Sequence, residues 1–180
     1  LWDSSKTTQK TYQPASIRET VKEAWMVNSQ VNFCAKSYPT VPVEHADAAA
    51  LTVLGNFLSN GYLHNSIREV GGAYGGGAGQ DSNIAAFRFY SYRDPRISGT
   101  VEDFDLSLEW MQNNEHKAAQ LEEAILGVVS SLDKPSSPAG EAKQAFHNDL
   151  FGRTAAQRHD QSGCAKTPSH RALLLLLHGP

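Results

Sequence analysis

The amino-acid sequence predicts an α+β fold, with a small, mostly antiparallel sheet and helices packed on one face of it. Residues 83–92 alternate between two faces in the manner of a strand, with Phe87 and Phe89 on one face and Tyr90 and Tyr92 on the other. Apolar residues at helical spacing precede this segment once and follow it three times. The order strand, helix, strand and then helices favours helices laid on a small sheet.

Two elements are predicted before that strand. Alternating apolar residues predict a first strand from Trp25 to Phe33, which ends before Tyr38 and Pro39. A helix is predicted from His45, because apolar residues recur close to a 3.6-residue period at Leu51, Leu54, Leu58 and Tyr62. This helix is expected to end around Asn60 and Gly61, or to continue with a bend to Ile67.

Three helices are predicted after the aromatic strand, at 100–111, 117–132 and 141–150. The segment 133–140 between the last two is rich in proline and serine, which is typical of a loop. We therefore expect one domain over residues 1–157, followed by an atypical tail at 158–180. The tail holds five consecutive leucines, has no helical stripe, and is interpreted as a frame error or an artefact of the source gene, with genuine divergence as the alternative.

Composition excludes several classes of partner. The 180 residues carry a formal net charge of −3, so no broad basic surface for nucleic acid is expected. No apolar run approaches the roughly 20 residues that span a bilayer, so no membrane partner is expected. Cys34 and Cys164 have no metal or disulfide spacing, which favours a reducing compartment. Because the chain begins with Leu1 and without a signal peptide, we expect a piece of a longer protein or a processed product.

The most informative segment is the run from Arg68 to Gly79, in which six glycines surround Tyr74. Each glycine costs about 0.5–1 kcal/mol relative to alanine inside a helix or strand, so the run is predicted to be a loop. A flexible surface turn is the simplest interpretation. A phosphate-binding loop is disfavoured, because such a loop follows a strand and opens a helix, whereas here a helix precedes and a strand follows.

Residues 57–78, taken together with residues 89–95, resemble the C-terminal half of presequence-protease-type zinc metallopeptidases of the pitrilysin/insulinase superfamily. The resemblance runs from about residue 24 to about residue 157. It implies a protein whose two halves close around unfolded peptides, with zinc in the N-terminal half. It also implies a compartment that is either bacterial cytoplasm or an organelle matrix.

The resemblance further implies functional roles for the glycine run. Arg68 and Tyr74 match the arginine and tyrosine that reach across the chamber, where a guanidinium and a phenol can stabilise the oxyanion formed in peptide hydrolysis. The surrounding backbone is expected to bind the substrate, because a chain without Cβ atoms lets a peptide approach closely. These substrate-binding residues are Gly71, Gly72, Ala73, Gly75 and Gly76.

The zinc motif of that family, His-x-x-Glu-His, occurs nowhere in the 180 residues. We therefore expect this chain to be the non-zinc half, with no metal ligands of its own and no peptidase activity alone. Zinc is expected only in the full-length enzyme. Two further hypotheses remain open: a non-catalytic peptide-binding subunit that acts with a zinc-bearing chain, and a structural or oligomerisation module. An upstream zinc motif in the same reading frame would distinguish the leading hypothesis from the subunit.

Each singled-out residue also has a simpler interpretation. Arg68 would be a helix-end cation paired with Glu69 or with terminal carbonyls, and Tyr74 a packing residue. The other expectations concern residues outside the glycine run. Tyr90 and Tyr92 are expected in the core, Arg93-Asp94-Pro95 as a turn with local hydrogen bonds to Asp94, His64 as partly buried, and Cys34 as a buried, inert thiol.

Overall fold

A computed structural model describes residues 19–43, 45–135 and 137–150 of the chain. Its three strands form one antiparallel sheet in the order β1-β3-β2, and its helices confirm the α+β class. The elements are β1 (Ala35–Pro39), α1 (Ala48–Leu58), a π-helix (Ser59–Val70), β2 (Gly75–Asp81), β3 (Ala86–Tyr92), α2 (Ser98–Asn113), α3 (Ala118–Asp133) and α4 (Pro138–Leu150).

The first strand lies later in the chain than predicted. Trp25 and Val27 are 85% and 69% exposed, and pairing with β3 begins only at Ala35, opposite Tyr90. Before Ala35 the pairing in the described residues is a single isolated bridge, between Asn32 and Asp94, because Arg93, which follows β3, has a φ of 51° and interrupts the ladder. The predicted strand from Trp25 to Phe33 is therefore wrong.

Pro39 belongs to β1, although the sequence predicted that the strand ends before it. The Cys34 carbonyl accepts the Ser91 N–H, and the Thr40 N–H donates to the Ala85 carbonyl. The backbone N–H and C=O groups of even-numbered residues in this segment therefore point toward β3, and those of odd-numbered residues point away from it. Pro39 faces the open edge of the sheet, where a missing N–H costs no ladder hydrogen bond.

The helix predicted from His45 continues much further than Gly61. It runs as α1 to Leu58 and then as a π-helix to Val70. Gly61 does not end it, since this glycine lies under an aromatic ring: a Cβ there would be 2.6 Å from Cη2 of Trp110. The shorter of the two predicted ends is wrong, and the continuation beyond it is confirmed.

Much of the glycine run is a strand, which corrects the prediction of a loop. Residues 75–81 pair with β3, and the helix packs closely on two of the glycines, Gly76 and Gly77. A Cβ on Gly76 would lie 2.8 Å from Cγ2 of Ile67, and one on Gly77 would lie 2.8 Å from Oγ of Ser59. Tertiary packing therefore overrides the low strand propensity of glycine.

The core lies between the sheet and the helices. Phe89 and Phe104 are fully buried, with ring centroids 5.5 Å apart, so β3 packs directly on α2. One cluster of buried residues joins the sheet to the helices and comprises Cys34, Leu58, Leu63, Ile67, Ala73, Phe87, Phe89 and Phe104. A second cluster joins α1 to α3 and comprises Val53, Phe57, Leu121, Ala124 and Val128.

The two predicted faces of β3 are confirmed. Phe87 and Phe89 are buried against the helices, whereas Tyr90 and Tyr92 are 52% and 47% exposed on the opposite face. The expectation that these tyrosines belong to the core is therefore wrong, because no described helix covers their face of the sheet.

The three later helices are confirmed, with α4 beginning at Pro138 rather than at residue 141. Helix α4 has no buried residue, and its Phe146 and Leu150 are largely exposed. In the described ranges, no helix is both long enough and apolar enough to cross a membrane. The tail at 158–180 lies outside the described residues, and the domain boundary at 157 stays a prediction.

Candidate functional site

The π-helix ends in a closed turn at residues 68–74, the glycine turn, which leads into β2. The Arg68 carbonyl accepts the Gly72 N–H at 3.2 Å, and the Ile67 carbonyl accepts the Ala73 N–H at 3.1 Å. Gly72 has a φ of +79°, a left-handed conformation that favours glycine. Two hydrogen bonds and one required glycine therefore define the path between Arg68 and Tyr74.

Arg68 lies in the last turn of the π-helix with its side chain exposed. Glu69, its simplest partner, instead accepts a hydrogen bond from Asn65 at 2.8 Å and lies 3.5 Å from His64. Among the residues that the structure describes, none pairs with the Arg68 guanidinium. The guanidinium is thus an accessible cation with all of its donors available.

Tyr74 stands at the start of β2 and is 69% exposed. Its N–H donates to the Arg93 carbonyl at 3.4 Å, and its ring meets the edge of Tyr92 with 5.9 Å between centroids. Within the described ranges its hydroxyl has no hydrogen-bond partner. The backbone of Tyr74 is held while its phenol remains free to donate.

An aromatic row crosses the uncovered face of the sheet. Tyr92 contacts Tyr74 on one side and Phe33 on the other, with 5.3 Å between the Tyr92 and Phe33 centroids. All three side chains are between 47% and 69% exposed. Edge-to-face contacts of this kind contribute about 0.5–1.5 kcal/mol each. The three rings therefore form a continuous aromatic surface open to solvent on this face.

The five predicted substrate-binding residues divide into two groups. Gly72 is exposed and Gly75 and Gly76 are half-buried, whereas Gly71 and Ala73 are buried. The two buried residues shape the turn, and the other three present backbone at the surface.

The outer edge of β2 is partly occupied. Ser59 Oγ accepts the Ala78 N–H at 2.9 Å and lies 3.2 Å from the Ala78 carbonyl oxygen, so both groups point away from β3. Backbone groups alternate along a strand, which gives Gly76 the same outward direction. Ser59 thus covers the middle of this edge, and the backbone of Gly76 lies next to the aromatic row.

The segment that follows β3 forms a polar network around the buried Asp94. Its other main residue, Arg96, is not predicted from the sequence. Asp94 is fully buried, as a turn residue with local hydrogen bonds: Oδ1 accepts the Arg96 N–H at 2.9 Å and Oδ2 accepts the Thr100 hydroxyl at 2.7 Å. Arg96 reaches back to the π-helix, donating from Nη2 to the Ser66 carbonyl at 3.2 Å. The only sequence signal for Arg96 is its place two residues after Asp94.

Two other predictions concern single residues. Cys34 is buried as predicted, and its thiol donates to the Arg96 carbonyl at 3.7 Å. His64 is exposed rather than partly buried, because its position on the π-helix faces solvent beside Glu69.

Tyr62 is the titratable group with a shifted pKa on the π-helix. Burial raises the pKa of its phenol, and the negative charges of Asp103, Glu102 and Glu109 on α2 raise this pKa further.

A cavity of about 110 Å³ lies on the far side of α1, and it shares no residue with the glycine turn. Its lining residues are Phe57, Asn60, Gly61, Gln120, Glu123 and Ala124.

The described ranges contain no group of three or more His, Cys, Asp or Glu residues that could hold a metal ion. The donors that zinc requires are therefore not gathered in this part of the chain. The chemistry available at the glycine turn is hydrogen-bond donation, from one guanidinium, one phenol and the exposed backbone.

Comparison with known proteins places the chain in a family. Residues 22–165 match the family model described as the PreP C-terminal domain. The mitochondrial presequence protease of Kluyveromyces lactis is 41% identical over 133 residues, which cover 73% of this chain and 14% of that protein. That of Drosophila melanogaster is 43% identical over 118 residues, covering 64% and 11%, and that of Mus musculus is 30% identical over 183 positions, covering 93% and 17%.

The chain therefore belongs to the PreP C-terminal domain family, which confirms the resemblance drawn from residues 57–78 and 89–95. The matched range extends past residue 157, where the sequence analysis had put the end of the domain. The chain spans between 11% and 17% of the length of these three relatives.

Proposed function

We propose that this chain is part of the C-terminal, non-zinc half of a zinc-dependent oligopeptidase, and that it supplies substrate binding and oxyanion stabilisation for peptide-bond hydrolysis. The observation that carries the proposal is the closed glycine turn, which has the Arg68 guanidinium at one end and the Tyr74 phenol at the other, both unpaired among the residues that the structure describes. Membership in the PreP C-terminal domain family supports it.

In this proposal Arg68 and Tyr74 are the catalytic residues. When a peptide bond is attacked, negative charge develops on the carbonyl oxygen, and the two side chains donate hydrogen bonds to it. One such donor contributes about 10²–10³-fold in kcat when it is held in place before the reaction. The Tyr74 backbone is held by its hydrogen bond to Arg93, which limits the positions that the phenol can reach.

The substrate-binding residues are Gly71, Gly72, Ala73, Gly75 and Gly76. The exposed backbone of Gly72 and the half-buried backbone of Gly75 and Gly76 can lie against an extended chain, as in recognition by strand addition. The buried Gly71 and Ala73 support the turn below it. The aromatic row beside the turn can receive apolar side chains, which a folded protein keeps inside and an unfolded peptide exposes.

The proposed partners are unfolded peptides and the zinc-bearing N-terminal half of the same protein. We assign zinc to that half because the described residues of this chain offer no ligand group. The chain alone is therefore expected to be inactive. The relatives are named as mitochondrial proteins, which supports an organelle matrix over a bacterial cytoplasm.

The test is peptide hydrolysis by the full-length protein carrying Tyr74→Phe, with zinc content measured in parallel. We expect kcat to fall by about 10²-fold at unchanged zinc content. Tyr90→Phe is the matched control, because Tyr90 is an exposed tyrosine on the same strand pair. An unchanged kcat for Tyr74→Phe would reduce Tyr74 to a packing residue and favour the non-catalytic binding subunit.

A further inference from the structure

Arg96 joins three elements around the glycine turn. Its Nη2 donates to the Ser66 carbonyl of the π-helix at 3.2 Å and to Asp103 Oδ2 of α2 at 2.9 Å. Its own N–H donates to Asp94, directly after β3. A planar guanidinium holds several acceptors in fixed directions, so this one side chain sets the distance between the π-helix and α2.

The Ser66 carbonyl lies in the last part of the π-helix, which ends at Val70. The helix end is closed by the Gly71 N–H, which donates to the Arg68 carbonyl. Arg96 adds a hydrogen bond to this last part of the helix from outside, since its Nη2 donates to the Ser66 carbonyl.

Gly71 makes this contact possible. A Cβ at Gly71 would lie 2.0 Å from Nη2 and 2.5 Å from Cζ of Arg96, so the guanidinium rests directly on the glycine backbone. Any side chain at this position would displace it.

Arg96 is in turn held by a buried network. Asp94 is fully buried, and its Oδ2 accepts the Thr100 hydroxyl at 2.7 Å. The backbone N–H and carbonyl of Asp94 both pair with Asn32. The anchor of Arg96 is therefore fixed to the sheet and to the first turn of α2.

The short segment 93–96 consequently contacts both ends of the glycine turn. The Arg93 carbonyl accepts the Tyr74 N–H, while the Arg96 guanidinium holds Ser66 and Gly71 on either side of Arg68. We propose that Arg96 is a positioning residue, which fixes the end of the π-helix so that Arg68 and Tyr74 present their donors together. The inference rests on the proposed function of those two residues.

The test compares Arg96→Ala and Arg96→Lys in the full-length protein. Misplacing a catalytic group by about 1 Å can cost 10²-fold, so we expect Arg96→Ala to lower kcat by about that factor with little change in KM. Lysine can keep the charge contact with Asp103 but cannot bond Ser66 and Asp103 in the same fork, so Arg96→Lys should recover only part of the rate.

Two further variants separate positioning from general damage. Arg88→Ala is the matched control: Arg88 lies on β3, and its exposed guanidinium pairs with Asp81 at 3.1 Å, away from the turn between Arg68 and Tyr74, so kcat should be unchanged. The double variant with Tyr74→Phe and Arg96→Ala should lose less than the product of the two single losses, because part of the effect of Arg96 passes through the Tyr74 donor.

The outcomes distinguish the two proposals. If Tyr74→Phe lowers kcat and Arg96→Ala does not, the positioning role is wrong and the proposed function stands. If Tyr74→Phe leaves kcat unchanged, both are wrong. A double variant whose loss is the full product of the single losses would also overturn positioning through these donors. If Arg96→Ala fails to fold, Arg96→Lys decides alone: a lowered kcat at an unchanged melting temperature supports the role, and an unchanged kcat overturns it.

Discussion

Ser59 Oγ on the π-helix accepts the backbone N–H of Ala78 on β2 at 2.9 Å and lies 3.2 Å from its carbonyl oxygen. A hydroxyl group thus occupies the position at which a further strand would pair with β2. This contact stabilises the edge and restricts strand addition to the neighbouring backbone.

Removing that hydroxyl is expected to destabilise the domain. Ser59→Ala leaves the part-buried Ala78 N–H without this partner. An unsatisfied donor costs about 1–3 kcal/mol when it is fully buried, so we expect a loss near the lower end of that range. Urea denaturation should report this loss in the free energy of unfolding. Ser66→Ala is the control, because Ser66 Oγ contacts only the Tyr62 carbonyl of its own helix, and its loss should cost less. Equal losses for the two variants would contradict the role of Ser59.

Side chains on β2 should be tolerated according to the space above each glycine. Gly76→Ala places a Cβ 2.8 Å from Cγ2 of Ile67, and overpacking of this kind costs about 1–3 kcal/mol. Gly79→Ala has no neighbouring atom within 4 Å, so it should be neutral or slightly stabilising, because alanine restricts the unfolded chain. Thermal unfolding of both variants checks the difference, and a Gly79→Ala variant as unstable as Gly76→Ala would show that glycine is needed for another reason.

The stability of the domain should fall above about pH 10. Burial lowers the pKa of Lys36, but hydrogen bonds to Asp105 and Tyr38 and their charges outweigh it, so the pKa is raised above 10.5. A group with a raised folded-state pKa stabilises fully below its unfolded pKa, and this stabilisation is lost as the pH rises through the folded value. The raised pKa of Tyr62 acts in the same direction.

The measurement is the free energy of unfolding between pH 9 and pH 12, for the native chain and for Lys36→Gln. We expect the variant to be less stable at pH 9 and to lose less stability as the pH rises. Parallel curves would rule out a contribution from Lys36. For the double variant with Lys36→Gln and Tyr62→Phe, the free energy of unfolding should change least with pH between pH 9 and pH 12.

The aromatic row should affect substrate affinity more than the chemical step. Phe33→Ala removes the end of the row without touching Tyr74, since Tyr92 lies between them. We expect KM for apolar peptides to rise by about fivefold or more, corresponding to about 1 kcal/mol of lost contact, with kcat little changed. Steady-state kinetics of the full-length protein would test this.

Phe146→Ala serves as its control, because Phe146 is also an exposed aromatic residue but lies on α4. If both variants raise KM equally, the row has no special part in binding.

The sequence predicts the helices and β3 well because their apolar residues recur at the period of the structure. Phe87 and Phe89 alternate with exposed positions, and this pattern alone identifies the buried face. The predicted first strand is misplaced because Trp25 and Val27 also alternate, whereas the continuous pairing with β3 covers only Ala35–Pro39 and is interrupted at Arg93. Pairing partners are distant in sequence, so a local pattern cannot reveal where a strand stops.

The glycine run shows a second limit. Arg68 and Tyr74 were singled out by resemblance, and the structure leaves both side chains exposed and unpaired within the described residues. The strand character of residues 75–81 was missed, because it depends on Ile67 and Ser59 approaching the backbone from above. Arg96 was missed for a similar reason, because its contacts with Ser66 and Gly71 join residues that are 30 and 25 positions apart in the sequence.

The close packing of helix on glycine also constrains how this domain can change over generations. A Cβ at Gly55 would lie 2.7 Å from the Cα of Gly79, and one at Gly76 would meet Ile67. The same Cβ at position 76 would lie 2.9 Å from the Tyr90 carbonyl oxygen, so a smaller residue at 67 removes only one of its two contacts. A single compensating replacement therefore does not make room at position 76, and the two glycines can be replaced only together with a shift of the backbone.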